Sequence, residues 1–199
     1  MNAFQKAFVV SCCLLTACAP PRPAGEAPIN EEMPVKERVV KTSTISSWVI
    51  KGAMAAKNKQ KSWTASLNWK QQGANRYQIR LFGPLGGGTV MIEKDGGVIR
   101  FKDGPKTVTS GSADQLLLQE TGIRLPVKNL YYWVRGLPAP GAVQAKQYDR
   151  YNHLKTLHQD GYIIQYLNYT SKGSIDLPSK IKLTGHGVYM KLIIKSWSV

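Results

Sequence analysis

Three histidines, twelve carboxylates and three thiols are the groups in this 199-residue chain that could hold a metal, move a proton or attack a substrate. Their spacing supports little of that chemistry. His153 and His158 lie five residues apart in a run, Tyr148 to His158, that reads as one strand. They should therefore point to opposite faces and make poor joint metal ligands. His186 stands alone between two glycines, and no HExxH segment occurs, so no metal and no cofactor is expected. Among the acids, Asp149, Asp160 and Asp176 read as residues in or beside turns, and Glu93 and Asp95 flank a hairpin. None forms the convergent pair that a glycosidase needs. Ser174, Ser179 and Ser196 lack a nucleophile elbow. Gly83-Pro84-Leu85-Gly86-Gly87-Gly88 is glycine-rich, but no Lys-Ser or Lys-Thr follows it, so it reads as a strand-to-strand loop rather than a phosphate cradle.

One thiol does have a chemical context. Met1 to Lys6 is a short segment with one positive charge, and Ala7 to Leu15 is apolar but too short to span a bilayer. That run ends in Leu15-Thr16-Ala17-Cys18, which resembles the lipobox of bacterial lipoproteins. The resemblance implies cleavage before Cys18 and acylation of its thiol. Cys12 and Cys13 would leave with the signal, so the mature chain would fold without disulfides. Ala19 follows the acceptor; the absence of Asp there, by the same analogy, favours the outer membrane. Residues 1–17 are thus expected to be a cleaved signal, 18–43 a lipidated tether with a possible short helix near Glu37–Thr44, and 44–199 the folded domain. Pro20, Pro21, Pro23, Pro28 and Pro34 keep the tether extended.

Composition bounds the rest. The chain is 43% hydrophobic, too apolar for a disordered one, and carries 27 basic against 12 acidic residues for a net charge of +15. So basic a surface favours anionic partners, phospholipid or an acidic protein. The lysines are scattered rather than massed on one helix, so nucleic acid is not an expected partner.

The elements that must position any site are mostly strands. Trp63, Ala65, Leu67 and Trp69 alternate with polar residues, as do Tyr77, Ile79 and Leu81. Thr89–Lys94 and Val98–Lys102 form a hairpin closed by Asp95-Gly96-Gly97, and Lys106–Thr109 adds a strand. Ser112-Ala113-Asp114-Gln115 resembles a capping box and opens one helix; Pro126 precedes a second, which Gly136 and Pro138 stop. Tyr148–His158, Tyr162–Tyr169, Ser179–Thr184 and Tyr189–Ser196 return to strand periodicity. Nine or ten strands and at least two helices argue for a curved antiparallel sheet or barrel whose open face the helices cover.

The domain, from about Ser43 to Val199, resembles the LolB family. The residues that carry the likeness stand in order: WVIKGAM at Trp48–Met54, Trp69-Lys70-Gln71, Gly83-Pro84-Leu85-Gly86, Gly122–Val127, LYYWVRGLP at Leu130–Pro138, Gln159–Tyr162, Leu177-Pro178 and Lys191–Trp197. Tyr162 departs from a frequent Trp, and Gly87-Gly88 lengthens the glycine run. The resemblance implies a mainly β fold, an unclosed antiparallel half-barrel with helices as a lid over an apolar cavity. It implies a monomer that accepts lipoprotein acyl chains from a LolA-like periplasmic carrier and releases them into outer-membrane phospholipid, with no catalysis. It implies, too, that Leu85 touches the membrane. Trp48, Trp63, Trp69, Tyr77, Ile79, Leu81, Leu130, Trp133 and Trp197 are candidates to line a cavity, or equally to fill a solid core. A structural or signalling lipoprotein of the same fold, or a cell-wall enzyme, are the alternative readings.

Overall fold

The computed structural model describes residues 27–28, 31–83 and 88–199. Cys18 and Leu85 lie outside the described residues. Helix α1 (Val35–Ser43) leads into β1 (Ser47–Lys57), β2 (Ser62–Gln72), β3 (Arg76–Phe82), β4 (Thr89–Asp95), β5 (Val98–Asp103) and β6 (Lys106–Ser110). Helices α2 (Ala113–Thr121) and α3 (Val127–Trp133) come next, then β7 (Val143–Tyr148), β8 (Leu154–Gln159), β9 (Tyr162–Lys172), β10 (Ile175–Gly185) and β11 (Val188–Ser198).

All eleven strands join one antiparallel sheet in the order β6-β5-β4-β3-β2-β1-β11-β10-β9-β8-β7. Each neighbour but one is next in sequence through a short turn. The exception is β1 with β11, which brings the two ends of the domain together. The two edges, β6 and β7, are not paired with each other; the segment that runs between them is the one that carries α2 and α3. The fold is thus an unclosed barrel whose lid is the connection between its own edges.

Gly52 explains how the central strands approach so closely. The β1–β11 register shifts between Lys51 and Gly52. A Cβ on Gly52 would lie 1.9 Å from the Ile193 carbonyl oxygen, a backbone atom that cannot swing aside. The glycine of the WVIKGAM segment is therefore fixed by backbone proximity rather than by a turn.

The described residues hold one more strand than the upper expectation: β7 (Val143–Tyr148) was not foreseen, and the run Tyr148–His158 holds only its last residue, a turn and most of β8. Asp149 to His153 form a tight turn, with Asn152 N–H donating to the Asp149 carbonyl at 3.0 Å and Asn152 at φ 63°. The turn moves His153 off any strand, so the alternation argument for the two histidines fails. Asp176 stands beside the Gly173-Ser174 turn, as the second residue of β10, and is buried there.

Candidate functional site

The lid begins where its sequence says it should. The Ser112 hydroxyl accepts the Gln115 N–H at 3.3 Å and caps α2, and Gly122 ends that helix at φ 72°. Asp114 reaches forward and accepts the Val127 N–H at 2.9 Å, so the first turn of α2 caps the start of α3. Burial, the largest influence, raises the Asp114 carboxyl above its ordinary range despite that hydrogen bond.

The two helices are held very differently. On α3, Trp133 is 1% exposed and donates from Nε1 to Gln159 Oε1 at 2.9 Å. Gln159 in turn exchanges hydrogen bonds with both the N–H and the carbonyl of Ala139. Arg135, just past α3, is buried; it donates to the Ile45 and Tyr131 carbonyls and stacks 4.0 Å over the Tyr131 ring. Burial pulls its guanidinium below the usual arginine range. These contacts bolt α3 to the β1 entrance and to β8. Helix α2 buries Ala113, Leu116 and Leu117 against the core and meets the barrel rim through two polar links. Asn58 Nδ2 donates to the Gly122 carbonyl at 2.8 Å, and Lys106 pairs with Glu120.

Between sheet and lid lies a cavity of about 630 Å³, within the range of sites that bury small ligands. Its walls are inner positions of β1 to β5 and of β11, together with α2, α3 and the segment joining them. Five of the nine candidate residues line it: Trp63, Trp69, Ile79, Leu81 and Leu130. The remaining four stand elsewhere. Trp48 sits edge-on between Trp69 and Trp197, with ring centroids at 4.9 and 5.5 Å, and this trio fills the base of the sheet. Trp133 packs against Tyr162. Tyr77 faces a smaller hollow of about 220 Å³ near Asp114, and burial there, reinforced by that carboxylate, raises its phenol. Sequence reasoning passed over Met54, Ala56, Ala65, Ile123 and Leu125, which also line the cavity. The last two carried a signal in the alternation Ile123, Leu125, Val127 between Gly122 and α3.

One end of the cavity is polar. Lys61, Ser62, Asp103, Glu120 and Thr121 line it beside Gly83 and Gly88. These residues belong to the β1–β2, β3–β4 and β5–β6 connections and to the end of α2, all at the same end of the sheet. Gly83 and Gly88 are the described residues on either side of positions 84–87.

A second cluster lies at the opposite end, where α1 docks. His153 Nε2 is 2.7 Å from Asp176 Oδ2, and its Nδ1 is 3.0 Å from Asp149 Oδ2. Arg38 of α1 donates to the same Asp176 oxygen at 2.8 Å and to the Tyr151 carbonyl at 3.0 Å. Partial burial raises the Asp149 carboxyl, but hydrogen bonds from His153 and Tyr151 together outweigh that and hold it below the usual range. The histidine is 2% exposed and stacked on Tyr169 at 4.6 Å. With His153 and Asp176 buried and Arg38 of α1 joined to Asp176, the cluster clamps α1 to the sheet. Among the described residues no cluster of three His, Cys, Asp or Glu could hold a metal ion.

Comparison with known proteins agrees with this geometry. Residues 46–197 match the family described as "Outer membrane lipoprotein LolB". A protein named outer-membrane lipoprotein LolB from Coxiella burnetii (strain RSA 493 / Nine Mile phase I) is 35% identical over 193 residues, covering 96% of this chain and 91% of its own. One of the same name from Ectopseudomonas mendocina (strain ymp) is 35% identical over 156 residues, covering 78% and 76%. Among solved structures, a LolA superfamily protein from Nitrosomonas europaea superposes with a TM-score of 0.51 at 10% identity, over 83% of this chain and 93% of its own. An outer membrane lipoprotein-sorting protein domain from Vibrio parahaemolyticus gives 0.53 at 9% identity, over 82% and 89%. At such identities these two speak for the fold alone.

Proposed function

This chain belongs to the LolB family of outer-membrane lipoproteins, and from that premise we propose that it takes lipoproteins from a LolA-like periplasmic carrier by their acyl chains. It then passes those chains into the inner leaflet of the outer membrane. The observation that carries this reading is the apolar cavity between sheet and lid, with polar residues gathered at one end of it. Each methylene left in water costs about 0.8 kcal/mol, so an acyl chain needs a shielded route between carrier and bilayer. No covalent step on the cargo and no cofactor belongs to this role; transfer runs down a gradient of affinity.

The lid supplies a physical means of entry. Opening α2 would break the Asn58–Gly122 and Lys106–Glu120 links and draw Leu116 and Leu117 out of the core. Opening α3 would tear out Trp133 and Arg135, both buried. Because α3 alone would also uncover a buried guanidinium, we assign α2 as the half that moves more readily.

The same reading places the anchor at Cys18, with residues 1–17 removed and 18–43 as the tether of the domain 44–199. It has the domain face the periplasm and act as a monomer. It assigns Leu85 to the membrane: one leucine yields roughly 1.5–3 kcal/mol on insertion, too little to hold a protein but enough to orient one already tethered. The charge at the polar end of the cavity is mixed, with Lys61, Asp103 and Glu120 in the lining and Lys106 paired with Glu120, so carrier docking there draws on both signs of charge and not on lysines alone.

Depleting the protein from cells tests the class of function. Lipoproteins should then accumulate in the periplasm bound to the carrier. Unchanged delivery of other lipoproteins after depletion would remove the transport reading.

A further inference from the structure

The surplus of positive charge is not spread evenly over the molecule. From β3 through β2, β1, β11, β10, β9 and β8 to β7, the strands contain a single acidic residue, Asp176, and it is buried. The acids on strands fall instead on β4 and β5, at Glu93, Asp95 and Asp103. The outer face of the central strands is therefore basic without relief.

The register shows where the charge is densest. Lys182 of β10 lies directly opposite Lys191 of β11, and Lys180 of β10 opposite Ile193. Like charges directly opposed across a ladder destabilise it, and no strand residue beside them supplies a counter-charge. Tyr189 stands in the next row, with the Lys57 ammonium 5.4 Å and the Lys182 ammonium 5.6 Å from its ring centre. Apolar side chains are set among these lysines in the open: Ile163 is 41% exposed, Leu167 48% and Ile193 38%.

We infer that this convex face, centred on Lys180, Lys182, Lys191 and Tyr189, is a second membrane-contact surface that rests on anionic phospholipid headgroups. Three features select a bilayer over an acidic protein. The cations of the cluster are all lysines, the residue that protein interfaces are depleted in, whereas arginine is the one they favour. Lysine ammonium groups pair with phosphates as compact, hydrated point charges. The interleaved isoleucine, leucine and tyrosine match the boundary between headgroups and acyl chains, where apolar side chains go down and aromatic rings sit at the interface. The face lies on the opposite side of the sheet from the lid, so a molecule resting on it keeps its cavity free to meet a carrier. The contact does not depend on cargo binding, and its failure would leave the transport reading intact.

The test uses the full chain with Cys18→Ser, so that no lipid is attached at that thiol, and measures partitioning onto vesicles by sedimentation. One vesicle set is phosphatidylcholine alone; the other holds an equal part of phosphatidylglycerol. The unaltered face should favour the anionic vesicles and release from them at high salt. The triple variant Lys180→Gln/Lys182→Gln/Lys191→Gln should lose on the order of a hundredfold in that partitioning, while its thermal midpoint holds or rises as the Lys182–Lys191 repulsion disappears. Arginine at the same three positions should restore binding. A matched loss of charge at Lys36, Lys128 and Lys146 should cost far less. The inference is overturned if the glutamine variant partitions like the parent, or no worse than the matched control. It is overturned equally if the parent shows no preference for anionic vesicles; should the glutamine variant then lose binding to the soluble carrier, the face is a protein dock.

Discussion

The two wings of the sheet have the same strand chemistry and opposite interiors. On the β1–β5 wing the inner face is hollow; on the β7–β10 wing it is solid, and no residue of those four strands lines the cavity. The difference lies in the chain that crosses above them. The solid wing receives the bulky end of α3 and the segment past it: Trp133, Leu137 and Ala139, all buried, with Gln159 rising from β8 to hydrogen-bond two of these residues. The hollow wing receives α2 and the segment from Gly122 to Pro126, and it places small residues, Ala56 and Ala65, where large ones would close the gap. Alternating hydrophobicity makes a half-barrel; side-chain volume across from the lid decides whether the half-barrel holds anything.

The comparison is sharpest where a large side chain is removed from the solid wing. Trp133→Ala should cost about 3–5 kcal/mol, since it deletes a buried ring whose neighbours are already packed. Denaturant melts should show the loss as a fall in midpoint. A cost under 1 kcal/mol would mean that this wing, too, is loosely filled.

Gly52 bridges the two behaviours on β1, between buried Trp48 and Ile50 on one side and cavity-lining Met54 and Ala56 on the other. Gly52→Ala puts a methyl 1.9 Å from the Ile193 oxygen. We expect a loss of about 1–3 kcal/mol as β1 and β11 separate, and faster amide exchange along that pairing than elsewhere in the sheet. Unchanged exchange there would show that the bulge relaxes freely.

These contrasts mark what could be read from the sequence and what could not. Strand alternation, the Ser112 cap and the Gly136 stop are local, and they were enough for a curved antiparallel sheet covered by helices; the unclosed half-barrel came with the family likeness. The hollow was not local. Trp48 and Trp63 occupy the same kind of alternating position, yet Trp48 is held between two other indoles while Trp63 borders empty space. Only the packing partner tells them apart. The α1 clamp was hidden for a related reason: Arg38 and Asp176 are 138 residues apart, and the turn that lifts His153 between two acids interrupts a run that reads as one strand. The family likeness supplied the cavity that periodicity left open.

The clamp gives a smaller and pH-dependent effect. A carboxyl whose folded pKa lies below its unfolded one stabilises the fold where it is ionised in both states; the gain fades as acid protonates the folded form. Asp149 is such a group. Asp149→Asn should therefore lower stability at neutral pH and throughout the range above the ordinary aspartate value near 4. The gap to the parent should close only at lower pH. A gap that instead widened on acidification would reverse the sign assigned to Asp149.

The smallest effect on stability should accompany the largest effect on function, and it falls on the hollow wing. Ala65 sits on β2 opposite Met54, half-buried, with its methyl toward the cavity. Ala65→Leu adds three carbons to a space that is already open, so it meets none of the resistance that overpacking meets in a solid core. The added surface is apolar and partly shielded, which leaves stability within about 1 kcal/mol of the parent. The same carbons, however, stand where an acyl chain must lie beneath the lid. We expect a protein that melts like the parent and still reaches the membrane, but retains fewer labelled acyl chains and accepts cargo from the carrier more slowly. Competition between added side chain and ligand is the signature of a cavity that is used. If Ala65→Leu destabilises the fold by the 1–3 kcal/mol typical of overpacking, the wing is solid in solution. If it binds acyl chains like the parent, the chains take a route that avoids β2.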